Sequence, residues 1–155
     1  MKKCLCLLVV LGTSSLLAQT DSQNADQKEI TALEQQIVQM SLKGIDTPQF
    51  DQDHVGRDII EVWPMGFYGW DEVKQSDPQP PLEAKVDHLK FRFYGNTAIV
   101  DGMAYKKYKD SSDSGNIKNW RGFLVHVWVK RDGKWQLVSV ANGPLAPAAS
   151  SKPLE

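Results

Sequence analysis

The stretch Val127-Trp-Val-Lys-Arg-Asp-Gly-Lys-Trp-Gln-Leu-Val138 decides the fold. Two apolar runs flank Asp132-Gly133, a dipeptide suited to a two-residue type I′ turn because both of its positions need positive φ. The stretch therefore predicts a β-hairpin, and so short a loop also sets the pairing register. Arg131 is expected opposite Lys134, Lys130 opposite Trp135, Val129 opposite Gln136 and Trp128 opposite Leu137. Counting on, His126 faces Ser139 and Leu124 faces Ala141. On the other face Val127 pairs with Val138, Val125 with Val140 and Phe123 with Asn142. Both faces of the hairpin are apolar, so each needs cover from water.

Working outward, the preceding segments are also β. Ala84–Tyr94 and Thr97–Tyr108 flank Gly95-Asn96, a second hairpin signal. The polar stretch Lys109–Asn119 reads as an exposed loop, and Asp77–Pro81, with three prolines, as another. Asp58–Trp63 is short, β-branched and aromatic, and reads as a strand closed by Pro64 and Gly66. Upstream the period changes. Ile30, Leu33, Ile37 and Met40 recur at three and four, with Glu29, Glu34, Gln35 and Gln36 assigned to the solvent side. Gly44 is a natural C-cap, and Thr47-Pro48 starts a second helix. Trp70–Gln75 is a candidate third helical turn. Helices followed by an antiparallel meander predict an α+β domain with the helices on one face of a curved sheet.

The ends are different. Lys2 and Lys3 precede an apolar run, Cys4–Ala18, that is too short to span a bilayer and has the layout of a secretory signal peptide. Leu16 and Ala18 fit a cut before Gln19. The expected organisation is a signal peptide over 1–18, a flexible lead over 19–26, one domain over 27–145 and a disordered tail over 146–155. The expected location is outside the cytoplasm, periplasmic or secreted, with no membrane association after cleavage. Both cysteines lie inside the leader, so the processed chain has neither a disulfide nor a thiolate nucleophile. A chain of 155 residues with 18 basic and 19 acidic side chains has no field for gathering nucleic acid. Lys106-Lys-Tyr-Lys109 is followed at once by acidic residues and reads as a solvated hairpin end. Five Trp, four Tyr and five Phe point instead to a tightly packed or aromatic-lined interior.

These residues resemble the nuclear transport factor 2-like superfamily, in its SnoaL-like and ketosteroid-isomerase-like branch. The likeness rests on two helices, a strand ending Trp63-Pro64-Met65-Gly66, then Gly69, and a meander ending in the stretch quoted above. It covers about Asp26 to Leu145 and implies a cone-shaped fold with a cavity between helices and sheet. In the isomerases an Asp that acts as base stands where this chain has Trp63. Their oxyanion acid falls within Arg121–Val129, which has no carboxylate, and their Tyr near Gln39, in a helix without Tyr. Isomerase chemistry of that type is therefore not expected, and no catalytic residue is assigned. Relatives carry Arg and Thr at the positions of Phe123 and Val125, so the resemblance implies a more apolar cavity here.

The expected function is binding of a small hydrophobic molecule, with no cofactor and no metal. Trp63, Tyr68, Phe123, Val125 and Asn142 are the candidate ligand contacts. Trp63, Phe67, Tyr68 and Trp70 read either as a lid or as a plug of the cone. Asp58 is either a turn or helix-end cap or a carboxylate at the cavity mouth, and Glu61 alternates with Trp63 and could share its face. Either acid would serve an alternative lyase, cyclase or isomerase using one carboxylate. A second alternative is a protein-interaction module with a filled cone. The three histidines fall on three elements without metal-ligand spacing, and His126 is expected at a surface or interface. The sheet face carrying Leu124, Trp128 and Leu137 is expected to form a homodimer.

Overall fold

The computed structural model describes residues 13–44, 48–63, 66–73, 80–109 and 116–145. Helix α1 (Thr13–Lys43) and helix α2 (Pro48–His54) precede strands β1 (Val55–Trp63) and β2 (Gly66–Gly69) and the short helix α3 (Trp70–Val73). Four long strands follow: β3 (Glu83–Tyr94), β4 (Thr97–Lys109), β5 (Ile117–Arg131) and β6 (Lys134–Pro144). All six strands form one sheet in the order β2-β1-β6-β5-β4-β3. Among the described residues only β1 and β6 run parallel, and every other paired strand is antiparallel. The sheet is curved and open, and the architecture is a cone of α+β class.

Local chemistry sets these boundaries. Gly44 ends α1 at φ 60°, and its N–H donates to the Ser41 carbonyl at 3.2 Å. Asp132 and Gly133 have φ of 50° and 80°, the type I′ pattern, and the hairpin register starts as expected: Arg131 with Lys134, Trp128 with Leu137. α1 departs from expectation at its start. Residues 19–26 are helical rather than a flexible lead. Asp26 ties this stretch to the sheet, accepting from Lys130 Nζ at 2.7 Å and Trp135 Nε1 at 3.2 Å. The expected tail at 146–155 lies outside the described residues.

Beyond Trp128 the register changes. Val127 pairs with Ser139 while Trp128 pairs with Leu137, so Val138 is the extra residue of a β-bulge. From there His126 pairs with Val140, Leu124 with Asn142 and Phe123 with Gly143, each one residue from the expected partner. The bulge lets β6 present Trp135 and Leu137 on one side of it, and Val140 and Asn142 on the other, to the same face.

That face is the one beneath α1, which corrects the expected dimer. Leu124, Trp128 and Leu137 are 2%, 0% and 5% exposed within the single chain, and Trp128 and Leu137 belong to one core cluster with Ile30, Leu33 and Trp135. The physical reason is size. The large side chains of this hairpin gain most from burial, and Ile30 and Leu33 give them a surface to pack on. The valines of β5 are left on the outer face.

A second bulge in β3 places His88 at φ 54°, with its N–H bonded to Asp87 Oδ1 at 2.8 Å. Gly102 on β4 accommodates it, since a Cβ there would lie 2.8 Å from Leu89 Cδ2.

Asp58 neither caps a turn nor opens onto the cavity. It accepts two hydrogen bonds from Arg131, at 2.8 and 2.6 Å, and pins the start of β1 to the end of β5. The guanidinium holds the Asp58 carboxyl below the usual carboxylate range. A lowered folded value gives stability that is present above the ordinary carboxylate pKa and is lost as pH falls through the lowered one. Both side chains are well exposed, so screening keeps the effect small. Asp58→Asn is expected to cost about 0.5 kcal/mol at pH 7 and less at pH 2. Urea denaturation at the two pH values checks this.

Candidate functional site

Between α1, α2 and the concave sheet lies a cavity of about 450 Å³. Its walls are mainly apolar. α1 supplies Ile37 and Val38, β5 supplies Leu124, and β6 supplies Leu137 and Val140. Trp70 forms part of the wall from α3, under the Arg57 guanidinium 4.2 Å above its ring. Tyr108 and Trp120 line it toward the β4–β5 end.

A buried polar network forms one side of this apolar space. Glu34 is 0% exposed, at the centre of the α1 stripe that faces the sheet. His126 Nδ1 lies 2.9 Å from Glu34 Oε1 and 3.0 Å from Oε2. Trp128 Nε1 donates to Oε1 at 2.9 Å. Burying a carboxylate is costly unless donors replace its water, and here two side chains of β5 do so. An ionised carboxylate only accepts, so this network assigns the ring proton to Nδ1. In the neutral ring Nε2 then carries a lone pair. His126 is 5% exposed and lines the cavity, and Nε2 has no protein partner among the described residues. The expectation of a surface or interface histidine is thus corrected.

Sequence reasoning missed this pair because Glu34 was assigned to the solvent face by its charge. The signal was present in the spacing. Ile30, Glu34 and Val38 are four apart, so Glu34 lies inside the apolar stripe.

The candidate contacts separate. Asn142 lines the cavity, directly across from Leu124, and its amide has no protein partner among the described residues. Phe123 and Val125 do not line it; alternation puts them on the outer face, and Phe123 is 40% exposed. Their assignment to the cavity is corrected for the same reason as the dimer face. Tyr68 stands opposite Glu61 in the β1–β2 register but is not a cavity wall. The side chain of Trp63 lies outside the described residues. Glu61 lines the cavity, whereas Phe67, grouped with the lid aromatics, is 76% exposed.

Among the described residues, no group of three or more His, Cys, Asp or Glu could hold a metal ion. No described helix is long and apolar enough to cross a membrane.

Solved structures share this architecture. A nuclear transport factor 2-like superfamily protein from Salmonella enterica serovar Typhimurium is 16% identical with a TM-score of 0.69, over 84% of this chain and 99% of that one. A scytalone dehydratase candidate from Novosphingobium aromaticivorans is 12% identical at TM-score 0.69, over 82% and 89%. The CaMKII hub of S. rosetta is 17% identical at TM-score 0.65, over 76% and 95%. No family model matches the sequence, and no curated protein matches it. The chain has the nuclear transport factor 2-like fold. At these identities the likeness is one of fold, which hosts many functions.

Proposed function

We propose that this chain is an exported small-molecule-binding protein that holds a small, mostly apolar ligand in its cone. The observation that carries this reading is the cavity. About 450 Å³ of apolar-walled space with a few converging polar groups fits the range of small-molecule sites. Space of that size weighs against an interaction module with its cone plugged by its own side chains. Lys2, Lys3 and the apolar run to Ala18 support export.

The partner reading moves to the outer sheet face. Phe67, Val62, Ala141 and Val125 form one row across β2, β1, β6 and β5, and Ile60, Ser139, Val127 and Ile99 form the next. Phe67 and Ile60 are 76% and 50% exposed. An apolar face this broad favours self-association through a two-fold axis. Structures named as a CaMKII hub and an association domain share the fold.

The Glu34–His126 pair favours a second reading, proton transfer at a bound substrate. A carboxylate that fixes the tautomer of a histidine is the arrangement by which a neutral imidazole is made a general base. In this reading the carboxylate of a lyase-type enzyme is Glu34, acting through His126, rather than Asp58 or Glu61.

Native mass spectrometry of the chain from Gln19, purified gently from its own host, tests both parts. The expected result is a dimer carrying an added small mass. Val125→Asp, which sets a carboxylate beside Asp101 on β4, is expected to give monomers that still carry it. A ligand-free protein would overturn the binding reading, and a wild-type monomer would overturn the interface.

A further inference from the structure

We infer that the cavity selects a ligand bearing a neutral hydroxyl group, held between His126 and Asn142. This rests on the small-molecule reading above and adds the chemistry of the head group. His126 and Asn142 face the cavity from adjacent strands. His126 pairs with Val140 and Asn142 with Leu124, so the two are diagonal neighbours on one sheet face. Diagonal neighbours have Cα atoms about 7–8 Å apart, and both residues line the cavity, so one small ligand group can reach both side chains.

The two groups ask for complementary partners. When its ring is neutral and donates Nδ1–H in the hydrogen bond to Glu34, His126 offers the Nε2 lone pair and needs a donor. The Asn142 amide offers N–H donors and needs an acceptor. A hydroxyl is donor and acceptor at one atom, so it satisfies both. A ketone or ether leaves Nε2 unpaired, and an unmade hydrogen bond in an apolar site is costly. A carboxylate cannot donate either, and it would bring a second negative charge toward the buried Glu34. An alkylammonium can donate to Nε2, but it loses its hydration on entry, while Glu34 already accepts from His126 and Trp128.

The test uses one apolar body with four heads: n-octane, 1-octanol, octanoate and octylamine, titrated into the full processed chain at pH 8. Calorimetry gives affinity. The indole ¹⁵N–H resonance of Trp128, which shares Glu34 with His126, reports occupancy at the site. The expected order places octanol at least tenfold above each of the other three. Asn142→Ala is expected to lower octanol affinity about tenfold, one hydrogen bond's worth, and to leave octane unchanged. His126→Phe is expected to remove the preference for octanol altogether. Because that variant leaves Glu34 with one fewer donor and could fail to fold, Asn142→Ala is the deciding one. Equal binding of all four heads, or a lead for octanoate or octylamine, overturns the inference and leaves the binding reading standing. Failure of all four to bind overturns both.

Discussion

Glu34→Ala is expected to destabilise the protein by about 3–5 kcal/mol, because it strips two buried donors of their acceptor and leaves a void behind. The carboxylate is fully buried and is the acceptor for both His126 Nδ1 and Trp128 Nε1. Alanine leaves both donors unpaired and opens a void in the α1–sheet contact, so two costs add. Glu34→Gln separates them. Its amide oxygen can still accept where Oε1 does, so the loss should be about 1–2 kcal/mol. Urea denaturation of both variants is the measurement. Equal losses for Ala and Gln would mean that the negative charge, rather than the acceptor, holds the network.

Gly122→Ala is the second large effect, expected at about 2–3 kcal/mol from overpacking. A Cβ at Gly122 would lie 2.3 Å from the Gly143 carbonyl oxygen and 2.3 Å from Trp120 Cη2. The indole can swing aside, but the carbonyl belongs to the β6 backbone and has little freedom. Trp120→Ala combined with Gly122→Ala should therefore recover little of the lost stability, as thermal unfolding of the two would show. If the double variant is as stable as Trp120→Ala alone, the indole contact, not the backbone, sets the cost. Trp120 also lines the cavity, so displacing its ring should alter access to the site.

Much of the fold was legible because it rests on local chemistry. Asp132-Gly133 demanded a type I′ turn, and the helical period of Ile30, Leu33, Ile37 and Met40 demanded one apolar face. The site was less legible, because it depends on two facts that are not local. The first is the bulge at Val138, which no residue near it announces and which moves every later residue of β6 by one place. Asn142 reaches the cavity opposite Leu124 rather than Phe123 for that reason. The second is which face the helix covers. Leu124-Val-His-Val-Trp128 is apolar on both sides, so alternation alone could not choose between them. The choice was encoded at a distance, in Glu34, whose acceptor oxygens match the two N–H groups of the His126–Trp128 side. A glutamate within an apolar helical stripe is itself a signal, since it needs donors from whatever packs on it.

The parallel pairing of β1 with β6 has a kinetic consequence. His54 Nδ1 meets the Trp135 carbonyl across 81 residues of chain, and Glu34 meets Trp128 across 94. These contacts, which help close the cone, join an early segment to a late one, so loop-closure entropy is spent before they reward it. A nascent chain can build its hairpins as they emerge, but β1 and β2 have no strand to join the sheet through until β6 is complete. Closure is thus the last act of folding, and the apolar lining stays open to chaperones, or to a ligand, until the final strand is in place.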